Sequence, residues 1–309
     1  MLRLTSIVIF CFVVLAGAAF AQDAQTISSE KQIGEWHKLK SANLEFSFEM
    51  PAGYSYFFDA GGFVASENSN SYFMKEMQLI NNYHDRTLMS VEIYRTTQRK
   101  SAIDAMLDFQ NLRADAEKLN IPDFVGREFN ARGDDWTRTT RYIASKTHLY
   151  IISAATREKN NSTFQRFLSS VRFNDNTDSA ANTILISSLK SVEPEVSFEN
   201  PKDNKAAAAK SPSGTQTPEP DVTKLAVIGT PRVSYTNQAR QEGTTGTLRL
   251  RLTFSPSGSV SKIAVLQELP GGLMRQAALN ALRFKFLPQE KGGKPVSVSK
   301  VVEFRFSMY

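Results

Sequence analysis

The sequence predicts an α+β protein of two small domains, and three observations carry that expectation. Short runs of alternating apolar and polar residues recur through residues 34–174 and again after residue 245. Amphipathic stretches at helical spacing, Ser101 to Leu119, Thr163 to Val171 and Leu273 to Phe284, interrupt them. Between the two patterned regions, Lys202 to Pro220 is a run of Lys, Ala, Ser, Gly, Thr and Pro with no periodicity. The expected order is a signal peptide over 1–21, an N-terminal α+β domain over 34–174, a disordered linker over 175–223 and a C-terminal domain over 224–309.

In the N-terminal domain, Leu44, Phe46 and Phe48 alternate with Glu45, Ser47 and Glu49, the period of a half-buried strand. Met50-Pro51-Ala52-Gly53 ends that strand with turn chemistry. Tyr72 to Ile80 and Leu88 to Thr96 read as two strands around an Asn81-Asn82 loop. Ser101 is an N-cap candidate for the first helix, with Asp104 three residues on. Phe124 to Ala131, Trp136 to Ala144 and Thr147 to Ala155 form a strand series turned at Gly133-Asp134-Asp135 and Ser145-Lys146. The result is an antiparallel sheet with two helices.

The C-terminal region opens with a short helix, Ser234 to Gln241, ended by Gly243. Leu248, Leu250, Leu252 and Phe254 then face one way, and Arg249, Arg251 and Thr253 the other. Pro256-Ser257-Gly258 is a hairpin turn, and Val260 to Leu266 returns. After the Leu273 to Phe284 helix, Gly292-Gly293 leads into a last strand, Val296 to Phe306. This order gives a three-stranded antiparallel sheet backed by two helices.

Charge and cysteine content narrow the function classes. The net charge is +6. Residues 222–309 hold 13 Lys/Arg against 4 Asp/Glu, whereas residues 175–223 hold 8 acids against 4 bases. The basic excess therefore sits on the C-terminal domain. Arg3, the apolar Ile7 to Leu15 and Ala19-Phe20-Ala21 read as a cleavable leader, against the alternative of a retained membrane anchor. Cys11, the only cysteine, falls within the leader, so disulfides and thiol chemistry are not expected after cleavage.

Catalytic signals are sparse. His37, His84 and His148 are far apart and share no motif. Asp134-Asp135 could be paired carboxylates but sit in a turn context. Trp36 and Trp136 fit core packing better than a ligand platform. Neither a metalloprotease helix, a nucleophile elbow, a phosphate-binding glycine loop nor a dinucleotide fingerprint occurs. No enzyme, cofactor, metal or nucleic-acid partner is expected.

The run Pro231, Tyr235, Ala239-Arg240, Gly243, Gly246, Gly258, Val260, Leu273, Ala277-Ala278, Ala281, Phe284-Lys285-Phe286, Pro288, Gly293, Pro295-Val296 and Phe304 resembles the TonB C-terminal domain. Thr236 departs from it, standing where the family often has proline. The resemblance implies a Gram-negative envelope protein that binds an extended segment of an outer-membrane transporter along the edge of its last strand. That mode is β-augmentation, in which unpaired backbone groups give affinity. The partner-contacting positions it implies are Val298, Lys300, Val302 and Phe304, although Val298, Val302 and Phe304 also suit the core. Arg249, Arg251 and Lys262 on the outer face could attract an acidic partner. Residues 34–174 bear only a short resemblance to small α+β envelope domains of the PsbP or Mog1 type, and no function follows from it.

Three roles are thus open. The first is a periplasmic or envelope protein that docks an outer-membrane transporter or another envelope protein, with homodimerisation a further option. The second is a membrane-anchored energy transducer supporting outer-membrane transport, which requires the leader to be retained. The third is a secreted enzyme acting through residues 34–174.

Overall fold

Residues 35–41, 45–61, 63–67, 70–74, 76–95, 116–174, 183–199, 222–231 and 233–308 are described by the structure, a computed structural model. The expected leader, Leu44, residues 101–115 of the first expected helix and the run 202–220 lie outside them.

The first part of the chain gives strands β1 (Trp36–Lys40), β2 (Phe46–Pro51), β3 (Ser55–Asp59), β4 (Phe63–Glu67), β5 (Asn70–Met74), β6 (Met77–His84) and β7 (Thr87–Arg95). Then come β8 (Glu117–Leu119), β9 (Val125–Arg132), β10 (Thr137–Ala144), β11 (His148–Thr156) and helix α1 (Ser162–Ser170). Next are β12 (Arg172–Phe173), β13 (Thr183–Leu185) and β14 (Glu195–Phe198). The last part holds β15 (Val222–Thr223), β16 (Ala226–Gly229), α2 (Asn237–Gln241), β17 (Gly246–Phe254), β18 (Val260–Gln267) and α3 (Leu273–Leu282). It ends with β19 (Lys285–Leu287), β20 (Gln289–Lys291), β21 (Lys294–Val296) and β22 (Val298–Phe306). The fold is mixed α+β and mostly sheet, with several sheets.

Seven strands form an antiparallel sheet in the order β3-β6-β7-β11-β10-β9-β8. A smaller sheet, β12-β2-β1-β13, carries one parallel pair, β1 with β13. A two-stranded sheet pairs β4 with β5, so the described residues of the N-terminal part form three sheets where one was expected. The expected Asn81-Asn82 loop is also corrected. Both asparagines lie inside β6 and are buried, and the chain turns instead at Asp85-Arg86, where both residues have positive φ. A two-residue turn of that hand matches the twist of the strands it joins. The expected helix over 101–119 does not reach its end as helix, since Glu117–Leu119 pairs with β9.

Both faces of the seven-stranded sheet are covered, which explains why eight of the nine residues of β7 are buried. On one face Met89, Val91, Ile93, Tyr150 and Ile152 pack against β1, β2 and α1 through Leu39, Phe46, Phe48 and Phe167. On the other, Leu79, Tyr94, Tyr142, Leu149 and Ile151 share a core with Leu248, Leu250, Leu252, Phe254, Leu273 and Phe286. Residues 34–309 are thus one compact unit with a continuous core between their first and last parts. Gly258 shows how close the approach is. It has φ +79°, and a Cβ there would lie 2.6 Å from Leu88.

Residues 183–199, within the segment expected to be linker, are built into this body. Thr183–Leu185 pairs in parallel with β1, and Ile186 is buried. The Val192 amide donates to the Tyr56 carbonyl at 2.7 Å along the edge of β3. Beyond it, β14 pairs in parallel with β18. Apolar side chains at Ile184 and Ile186 anchor a stretch whose composition is otherwise polar.

Local signals hold the helices. Asn161 caps α1 by accepting from the Phe164 amide at 2.9 Å, and it also accepts from the Thr87 hydroxyl at 3.0 Å. Its amide donates to the Asp85 carbonyl at 2.9 Å. Asn161→Ala is expected to cost about 1–2 kcal/mol in chemical denaturation, because cap and buried partners are lost together. Thr236 likewise caps α2, accepting from the Ala239 amide at 3.0 Å. A proline there could not make that bond.

Candidate functional site

The C-terminal sheet runs β14-β18-β17-β22. Its three antiparallel strands are those the sequence implied, and β14 adds a fourth in parallel. The expected three-stranded sheet is therefore four-stranded. The nine residues of β22 pair with all nine of β17, from Gly246 opposite Phe306 to Phe254 opposite Val298. Among the described residues, β22 is paired on this side only. Its other side is an edge roughly 30 Å long. In an antiparallel strand alternate residues turn both backbone groups to opposite sides, so about half of the β22 residues direct N–H and C=O outward.

The sequence explains why this strand forms and which face it buries. Val298, Val302, Phe304 and Phe306 stand on the face of Leu248, Leu250, Leu252 and Phe254, by register. Phe304 and Phe306 are 7% and 4% exposed, and Phe306 meets Tyr235 edge-on at 5.2 Å. Val302 is half-buried against the same core, Val298 is half-buried and Lys300 is exposed. The four positions that the resemblance implies on this strand thus lie on the inner face, and Phe304 is a core residue. Ser299, Val301, Glu303 and Arg305 occupy the outer face, where Val301 is 45% exposed. Strict alternation along 298–306 already separates the two sets.

The outer basic face is largely matched by the chain's own acids. Arg249 pairs with Glu303 at 3.2 Å, Arg251 with Glu199, and Lys262 with Glu195 at 2.6 Å. Glu195 opens β14 and Glu199 directly follows it, so these two pairs fix that strand beside β18 and β17. One end of the sheet is therefore filled from within the chain, and β22 is left as the long edge. Among the described residues that edge leaves backbone N–H and C=O groups without a ladder partner.

Residues 231–308 match the family model of the Gram-negative bacterial TonB protein C-terminal. No curated protein matches the chain. The matched family is a non-enzymatic protein-interaction domain of envelope proteins.

Residues weighed for catalysis are not brought together. Asp134 and Asp135 lie at the start of β10 and His148 beyond its end, about 27 Å apart by strand length. Asp135 pairs with buried Arg157 at 3.1 Å, beside an open cleft of about 760 Å³ that Trp136 also lines. Arg157 in turn donates to the Pro288 carbonyl at 3.0 Å and the Lys224 carbonyl at 2.6 Å, which ties the cleft wall to the C-terminal part. His148 sits 3.6 Å from Glu45, and burial moves its pKa down. His37 is near Tyr54, and His84 is at the β6–β7 turn. Among the described residues no cluster of His, Cys, Asp and Glu could hold a metal, and no helix is long and apolar enough to cross a membrane.

One feature escaped the sequence entirely. Glu92 on β7, Arg283 after α3 and Lys285 on β19 form a buried ion cluster where the first and last parts of the chain meet. Arg283 Nε and Lys285 Nζ reach Glu92 at 2.9 and 3.0 Å, and the Tyr94 hydroxyl donates to it as well. Burial pushes the Glu92 pKa up, but Lys285 and Arg283 outweigh burial and hold it at about 2.

Proposed function

We propose that this is an exported cell-envelope protein that docks an extended segment of an outer-membrane transporter, or of another envelope protein, by strand addition to β22. The observation that carries the reading is a nine-residue strand, paired on one side among the described residues, within the stretch that matches the TonB C-terminal family. Backbone groups of residues 298–306 supply the affinity. Val298, Lys300, Val302 and Phe304 shape the strand from the inner face, and Arg249 and Arg251 lie on the outer face next to any added strand's neighbours. Residues 34–174 share a core with the module and offer a second binding or scaffolding surface.

Residues 34–309, immobilised in folded form and incubated with detergent-solubilised outer-membrane proteins, are expected to retain a partner. A synthetic extended peptide from that partner is expected to compete. If the folded protein captures no envelope protein, the docking reading fails.

A further inference from the structure

A small cavity of about 40 Å³ lies beside the ion cluster, at the junction of β10 and β11 with β19 and residues 229–231. Three cations line it, Arg138, Arg283 and Lys285, against one carboxylate, Glu92. The hydroxyls of Thr140 and Ser153 also face this region, 3.0 Å from each other. All of these side chains except Arg138 are at most 7% exposed.

Glu92 is already engaged by Arg283, Lys285 and Tyr94. Among the described residues Arg138 has no carboxylate partner there. One of its terminal nitrogens donates to the Ile228 carbonyl, while its Nε is buried and has no hydrogen-bond partner among the described residues. Lys285 uses two of its three donors, on Ser90 and Glu92. A buried charge without a counter-charge is strongly unfavourable. A buried N–H without an acceptor is unfavourable as well. The junction thus lacks negative charge and lacks an acceptor, at a place where there is room.

The geometry points to a binding site for one small monovalent anion of halide size in this cavity. The volume exceeds what one water requires but leaves no room for a nucleotide or sugar phosphate. The anion would accept from Arg138 Nε and face Lys285 and Arg283, supplying the missing negative charge. It would also favour the charged form of Lys285, which burial disfavours. Since Arg138, Thr140 and Ser153 come from the seven-stranded sheet, and Arg283 and Lys285 from the C-terminal part, the ion clasps the two together. It binds the folded chain and not the unfolded one, so it stabilises by mass action.

The test is thermal unfolding of the full chain while sodium chloride replaces sodium gluconate at constant ionic strength. The Tm is expected to rise with the logarithm of chloride concentration above its Kd, by about 3 °C once chloride exceeds the Kd tenfold. Bromide is expected to act alike, and Arg138→Gln to abolish the response. Crystals grown in sodium bromide, which need no variant, are expected to show an anomalous peak between Arg138 and Lys285. Equal Tm values in chloride and gluconate, or a cavity holding only water in the bromide crystals, would overturn the proposal.

Discussion

Glu92→Ala is expected to destabilise the protein by about 3–5 kcal/mol, well beyond the loss from breaking any exposed ion pair of the chain. The substitution leaves Arg283 and Lys285 buried without their carboxylate, 3% and 7% exposed. It also strips the Tyr94 hydroxyl of its acceptor. Arg283 is held further by Asn280 at 3.0 Å, and its guanidinium lies 5.6 Å from the Tyr94 ring centroid, so it cannot swing out to water cheaply. Urea unfolding followed by tryptophan fluorescence measures the loss. Replacing Glu92, Arg283 and Lys285 together by apolar residues of similar size is expected to recover most of it, because the cost comes from unpaired charge.

The same cluster makes stability depend on pH in a defined window. Folding holds the Glu92 pKa at about 2, below its ordinary 4.5. Its contribution is therefore complete above about pH 4.5, declines as the solution is acidified, and is gone once the pH falls through about 2. Glu92→Gln is expected to flatten this part of the stability profile relative to the parent protein.

Proline substitutions on β22 are expected to separate binding from folding. Lys300 and Val301 are neighbours, so one of them directs its N–H to β17 and the other to the open edge. Proline at the first removes a ladder bond and is expected to cost about 1–3 kcal/mol of stability. Proline at the second removes an outward donor and is expected to leave stability nearly unchanged. It should weaken partner binding by about 10–100-fold, since the added strand loses a backbone bond and meets the ring. Isothermal titration with the partner peptide and parallel denaturation distinguish the two variants. Arg249→Ala, by contrast, is expected to change affinity by less than about threefold, because Arg249 already pairs with Glu303 on an exposed face.

The C-terminal sheet was legible because its strands alternate cleanly. Leu248, Leu250, Leu252 and Phe254 mark the buried face of β17, and Pro256-Ser257-Gly258 marks the turn. The edge position of the last strand came from the family resemblance, which carried a sheet order that periodicity does not contain. Three features were hidden for physical reasons. Asn81 and Asn82 look like turn formers, but burial inside β6 and the Asn82 bond to the Pro51 carbonyl at 2.5 Å override that propensity. Residues 183–199 look like linker, since short parallel pairings to β1 and β18 depend on distant strands. The joint between the two parts was hidden because Glu92 follows the Leu88, Ser90, Glu92, Tyr94 alternation of an ordinary solvated face. Only the arrival of Arg283 and Lys285, far along the chain, turns that face into an interior.

Amide hydrogen exchange on the full chain, with and without the captured partner's extended segment, tests the central claim most directly. Strand addition requires outward-directed amides within residues 298–306 to gain protection, while β14 and the cleft beside Trp136 stay unchanged. Protection confined to β14 or to that cleft, with β22 exchanging as in the free protein, would contradict it.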